Sequence, residues 1–265
     1  MRFRIILIEL IAIFPALWIG HVFAGLRAPA SVGAARTPVL IELFTSESCS
    51  SCPPADALLE KLDRSQPVST ADLVVLSEHV DYWDDIGWKD PYSSREFSIR
   101  QRDYAHRFRL DGPYTPQMVV DGDAQLVGSD ERQALRVIGS AAKVDKIPVS
   151  LSSLRLEGIS SLVLHVEVGP PLGAKPTSGQ VSIALADDSD QSNVRRGENA
   201  GRFLTHVAVV RTLTQVGMID GRATFSKDVR VNTGNANLHN LRVVAIVQET
   251  TAGRVLGVGS ARLLK

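Results

Sequence analysis

Cys49 and Cys52 are the only two cysteines of the chain, and they stand three positions apart in Ser48-Cys49-Ser50-Ser51-Cys52-Pro53-Pro54. Thiols at this spacing can do three things. They can exchange with another disulfide, one thiolate attacking and the other resolving the mixed disulfide. They can close on each other as a stable bridge, which would tie off a very short loop and add little stability. They can also share a soft metal ion with a third ligand. The candidate third ligand is His79, so a metal site would be Cys49, Cys52 and His79, suited to Cu(I) or Zn. The plainer reading of His79 is a strand-end histidine bonded to a carboxylate such as Asp81. The exchange reading needs no cofactor.

Placement strengthens the exchange reading. Val39 to Phe44 is an apolar run suited to a buried strand, and a helix is expected from about Pro53 to Arg64, with Leu58, Leu59 and Leu62 at helical spacing. Pro53 and Pro54 sit in its first turn, where missing amide donors cost nothing. A CxxC that opens such a helix lies where the dipole and free amides favour a thiolate. Glu47 and Asp56 flank the pair and oppose that effect.

The second signal is Tyr114-Thr115-Pro116, directly before a short apolar run, Gln117 to Val120. Proline donates nothing to a sheet ladder and belongs at a strand start. Here it fits a cis peptide bond.

Leu73 to His79 reads as a second buried strand, and Ser93 to Phe108 as a helix. Gln117 to Val120 and Ala124 to Val127 flank the turn dipeptide Asp121-Gly122, a hairpin signal. Asp130 to Lys143 reads as a helix capped by Ser129. The order is β-α-β-α-β-β-α. From Ile147 the texture changes to about seven strands with turn-rich spacing, which suggests a β-sandwich. The expected fold class is therefore an α/β thioredoxin-like domain over residues 38–146, followed by an all-β sandwich domain over residues 147–265.

Met1 to Arg4 is a short basic start, followed by an apolar run to Ala24 that ends Val22-Phe23-Ala24. This reads as a cleaved signal peptide over residues 1–24, with a linker over 25–37. The protein is then expected to be exported, periplasmic or secreted, where a disulfide persists. Membrane attachment is expected only if the N-terminal segment stays uncleaved.

The dithiol, the later Thr115-Pro116 and the hairpin after it resemble the thioredoxin-like superfamily. That resemblance implies thiol–disulfide exchange on protein or peptide thiols, with Cys49, Cys52 and Pro116 as catalytic residues. It also implies that Thr115 offers backbone hydrogen bonds to a substrate chain. Glu42-Leu43-Phe44-Thr45-Ser46, the Cys-Ser-Ser-Cys-Pro-Pro-Ala-Asp run, His79-Val80-Asp81-Tyr82-Trp83-Asp84 and Arg196-Gly197-Glu198-Asn199-Ala200-Gly201-Arg202 are similar to a bacterial family of exported proteins known as a domain of unknown function (DUF1223 type). This second resemblance covers most of the chain after residue 37 and supplies no activity.

The segment between Cys52 and Pro116 carries Tyr82, Trp83, Trp88 and Tyr92, which fit either a substrate groove or a satellite core over the sheet edge. Trp83, Tyr114 and Thr115 are the candidate substrate-binding residues. Asp81, Asp84, Asp85 and Asp90 do not match a calcium loop and read as a solvated acidic loop. Arg95, Arg100, Arg102, Arg107 and Arg109 read as a solvated helical face. Arg195 to Asn199 reads as a polar loop between strands, able to dock on the first half or to contact a ligand. His165, His206 and His239 show no metal-ligand spacing.

The chain has 265 residues, with 29 basic and 29 acidic side chains. With no excess of positive charge, nucleic acid is not an expected partner. No phosphate loop, dinucleotide fingerprint or G-x-S-x-G motif is present. The competing reading is a non-catalytic binding module whose dithiol is structural or holds a metal.

Overall fold

In the computed structural model the described residues are 36–158, 160–170, 178–220, 224–234 and 236–263. The expected signal peptide, and the linker apart from its last two residues, lie outside them. Among the described residues no helix is long and apolar enough to cross a membrane.

β1 (Thr37–Thr45) is followed by α1 (Pro53–Ser65) and β2 (Ala71–His79). α2 (Arg95–Arg107), β3 (Gln117–Val120), β4 (Ala124–Val127) and α3 (Glu131–Ala141) complete the first half. β5 (Val149–Glu157), β6 (Ser161–Val168), β7 (Gly179–Asn193), β8 (Phe203–Ile219), β9 (Phe225–Asn232), β10 (Leu241–Gln248) and β11 (Val255–Arg262) follow. α1 starts where its prolines stand, with Cys52 as the N-cap. Ser94 caps α2 by accepting from Glu96 N. Asp130, not the expected Ser129, caps α3 by accepting from Gln133 N at 2.9 Å.

Eight strands form one mixed sheet in the order β11-β10-β7-β8-β2-β1-β3-β4. β1 and β2 run parallel, with Ile41 opposite Val75, and β3 pairs antiparallel to β1. β7 and β8 form a long antiparallel ribbon. One parallel bridge, Ser77 to Val209, attaches β8 to β2. A second sheet, β5-β6-β9, has three strands.

This corrects the expected fold class. The chain does not form a thioredoxin-like α/β domain followed by a β-sandwich. The free edge of β2 is occupied by β8, so strands from both halves share one sheet. The apolar run Leu73–Leu76 is buried because its side chains join the cluster formed with Leu58, Leu59 and Leu62 of α1.

Two apolar clusters reflect this layout. In the first, Leu58, Leu59 and Leu62 of α1 and Ile138 of α3 pack with Val39, Leu40, Val75, Val210 and Ile246 of the large sheet. In the second, Leu162, Leu164 and Val166 of β6 pack with Val181, Ile183 and Leu185 of β7 and with Val243 and Val247 of β10. Each fully buried side chain of this kind contributes about 1.5–3 kcal/mol.

α2 is tied to the sheet by charge. The buried guanidinium of Arg100 bonds Glu42 Oε1 through Nε at 2.7 Å and Gln248 Oε1 at 3.1 Å, and it also donates to the carbonyl of Thr251. Tyr104 Oη donates to Glu42 Oε2 at 2.6 Å. Arg100 is thus an internal group, where a solvated face was expected.

Candidate functional site

β1 delivers the chain into the turn Ser46–Cys52, and α1 carries it away. Cys49 and Cys52 form a disulfide with Cα atoms 5.4 Å apart. Cys52 N donates to Cys49 O at 3.2 Å, and the carbonyl of Cys52 accepts from Ala55 N and Asp56 N at 2.8 and 3.1 Å. The bridge therefore sits in the mouth of α1. Ser50 and Ser51 are exposed, but both cysteines have 0% exposure.

Pro116 arrives from the other side. The Thr115–Pro116 peptide is cis, as its place before β3 suggested. Gly128 N donates to Pro116 O at 2.9 Å. A Cβ at Gly128 would stand 3.1 Å from Pro116 Cβ and 3.1 Å from Ala55 Cβ. The proline and the first turn of α1 thus both close on one side-chain-free residue. Trp83 Nε1 donates to Thr115 Oγ1 at 2.8 Å. Tyr114 bonds Gln125 Oε1 through its hydroxyl, and burial pushes that phenol up to about 12. Cys49 and Cys52 thus stand at the mouth of α1, Tyr114, Thr115 and Pro116 just before β3, and Trp83 on the 3-10 turn Asp81–Trp83, bonded to Thr115.

Beneath the bridge lies a buried polar cluster. His79 Nδ1 is 2.7 Å from Asp90 Oδ2, and the same oxygen accepts from Glu47 N at 2.8 Å. Glu47 accepts from Trp88 Nε1 at 2.7 Å and pairs with His206 Nε2 at 3.1 Å. The rings of His79 and His206 are 4.7 Å apart, and Tyr92 packs edge-on against both. Burial alone would push His79 down, but Asp90 holds its imidazole above the ordinary value. Burial would raise Asp90, and His79 keeps it below the usual carboxylate range. Burial raises the Asp56 carboxyl, one turn into α1, against the pull of His206 and His79.

A hairpin tip is seated on the Cys49 turn. Val194–Arg202 joins β7 to β8 and is bonded to itself, Gly201 N to Val194 O at 2.8 Å and Arg202 N to Asn199 O at 3.1 Å. The buried side chain of Asn199 donates to Glu47 O at 2.8 Å and to Cys49 O at 2.9 Å. Glu198 Oε2 accepts from Ser50 N at 3.1 Å. Gly197, at φ +75°, lies so close to Trp88 that a Cβ would stand 3.2 Å from Trp88 Cβ.

The expected carboxylate partner of His79 was Asp81; the structure gives Asp90. Asp90 is therefore no part of a solvated acidic loop, because the imidazole and two backbone amides, those of Glu47 and Tyr92, compensate its burial. For the alternative metal set, the two sulfurs are joined to each other and His79 Nδ1 faces Asp90. Among the described residues no group of three or more His, Cys, Asp and Glu side chains is placed to hold a metal ion. His206, Asn199 and Glu198 were not singled out as site residues. They lie about 150 positions from the dithiol, and only the Arg195–Asn199 loop carried a hint, as a segment able to dock.

Residues 40–248 match the model of a family described as "Protein of unknown function (DUF1223)". The crystal structure of a protein from Agrobacterium tumefaciens is similar at 25% identity and a TM-score of 0.66, over 87% of this chain and 99% of that one. A β-glucosidase from Kluyveromyces marxianus matches 44% of this chain and 14% of its own at 10% identity and a TM-score of 0.25. No functionally curated protein matches the chain.

Proposed function

We propose that this chain, which belongs to the family of proteins of unknown function DUF1223, carries out thiol–disulfide exchange on protein or peptide thiols through Cys49 and Cys52. The observation that supports the reading is the disulfide at the mouth of α1, together with a cis Thr115–Pro116 peptide whose proline and the first-turn Ala55 of α1 both approach Gly128. In the reducing direction the Cys49 thiolate attacks a substrate disulfide sulfur and expels one substrate thiolate, which takes up a proton. Cys52 then loses its proton, attacks Cys49 Sγ and expels the second substrate thiolate. The bridge seen here forms as the substrate gains two electrons and two protons. The oxidising direction is the reverse. The chain acts after export, where such a bridge persists. Thr115, Tyr114 and Trp83 shape the groove beside the bridge.

The experiment is trapping. Cys52→Ser accumulates a mixed disulfide with a disulfide-bearing polypeptide, while Cys49→Ser traps nothing and loses insulin reduction. If both variants reduce insulin as wild type does, the reading fails.

Full burial of both sulfurs favours a second reading, a stable structural bridge in a binding module. The reduction potential separates the two. A value below about −300 mV fits the structural bridge, and a higher one fits a working pair.

A further inference from the structure

The exchange reading leaves a conflict in the structure. An exchanging sulfur must be reached in line by another sulfur, and neither Cys49 nor Cys52 has any exposed surface. The tip Val194–Arg202 is seated on the turn that carries Cys49. It rests on the Cys49 turn through three hydrogen bonds, two from Asn199 Nδ2 to main-chain carbonyls and one from Ser50 N to Glu198 Oε2. The tip also meets Gly87, the Gly197 Cα lying 3.4 Å from where a Gly87 Cβ would stand.

These contacts differ from those that build the core. The tip lies at the end of a ribbon, beyond the bridge from Ser77 to Val209 that fixes β8 in the large sheet. Glu198 is exposed, and its hold on the Ser50 amide competes with water. Asn199 is buried, with its Oδ1 unpartnered. The tip is therefore a local latch: its hold on the Cys49 turn is polar, beside the buried Val194 and the seat of Gly197 on Trp88, whereas the central strands of the sheets are held by apolar packing.

We propose that Glu198 and Asn199 are specificity-determining residues that latch the Val194–Arg202 tip over the disulfide and shut small thiols and other small reductants out. The proposal rests on the exchange reading for its purpose and not for its test. Opening the latch frees one main-chain donor, Ser50 N–H, and two main-chain acceptors, the carbonyls of Glu47 and Cys49. These are groups that an extended polypeptide can pair with and a small thiol cannot.

The test uses a water-soluble phosphine, which needs no exchange activity of the protein. The phosphine attacks one sulfur and the S–S bond breaks. Water then supplies the oxygen of the phosphine oxide and the protons of two thiols, so the phosphine loses the two electrons that the bridge gains. The bridge in the wild-type full-length protein reduces slowly, read by alkylation and mass. Glu198→Ala and Asn199→Ala each accelerate it, Asn199→Ala by about tenfold for the two hydrogen bonds it gives up. Val231→Ala, which loosens the distant three-stranded sheet, leaves the rate as in wild type. Equal rates in wild type and Glu198→Ala overturn the latch, and so does equal acceleration by Val231→Ala, which would mean that access runs through general unfolding. A latch that passes this test in a protein unable to reduce insulin sinks the exchange reading alone.

Discussion

Asp90 and His79 form a closed ion pair 2.7 Å long with no solvent exposure on either side chain. They come from different elements, the strand β2 and the loop before α2. Through Asp90 the pair also fixes the amide of Glu47, two residues ahead of Cys49.

Stability should follow the pair through pH. His79 is raised above 6.5, so its contribution is complete below that pH and is lost as pH rises through the folded value. Asp90 is lowered below 3.8, so its contribution is complete above that pH and is lost as pH falls through the folded value. Urea midpoints of wild type minus Asp90→Asn should therefore be greatest between pH 3.8 and pH 6.5 and shrink on both sides. Inside that window Asp90→Asn is expected to cost about 3 kcal/mol, the scale of breaking a buried pair. A difference that is flat with pH counts against the pair.

Arg100→Met should destabilise strongly, by about 3–5 kcal/mol in denaturant unfolding. The loss comes from two stranded carboxylates. Glu42 loses its bonds to the guanidinium, and Glu78, 3.6 Å from Arg100 and already raised by burial and by Glu42, loses its nearest cation. Pairing Arg100→Met with Glu42→Gln should recover part of that loss.

Gly128→Ala tests the approach of Pro116 to α1. The new methyl would stand 2.7 Å from Leu43 Cδ1 and 3.1 Å from both Ala55 Cβ and Pro116 Cβ. Unfolding should show a loss of about 1–3 kcal/mol, the scale of overpacking. Insulin reduction should fall by more than Tm explains, because the two halves of the site are pushed apart.

The bridge itself should matter little to stability. Cys49 and Cys52 are three positions apart, and a loop that short is worth about 2 kcal/mol in the chain-entropy account. The double variant Cys49→Ser, Cys52→Ser should therefore unfold within about 2 kcal/mol of wild type. A loss well beyond that favours the structural bridge over the exchange pair.

Local patterns in the sequence carried most of the elements. The Gln117–Val120 and Ala124–Val127 hairpin, the helix opened by Pro53 and Pro54, and the cis bond at Pro116 lie where residue types and spacing put them. Strand partners were not legible, because alternation tells which face a residue takes and says nothing about which strand lies beside it. The polar stretch Asp187–Asn193 hid the outer length of β7, since its residues pair with β8 and not with an apolar layer. That hidden ribbon is what brings Glu198 and Asn199 to the dithiol. For the same reason Asp90 looked like one of several surface acids. Only the fold shows that His79 and two amides wait for it.

The hydrogen bond from Ser50 to Glu198 spans 148 positions. In a chain that emerges from its N-terminus, the two sulfurs meet as soon as the turn before α1 exists, long before the segment that shields them has been made. Under the latch proposal, oxidation before β8 is made meets no cover, and oxidation afterwards has to open the tip. A molecule made without an oxidant at hand would finish with its dithiol already enclosed, and would need to reopen that end of the ribbon to become charged.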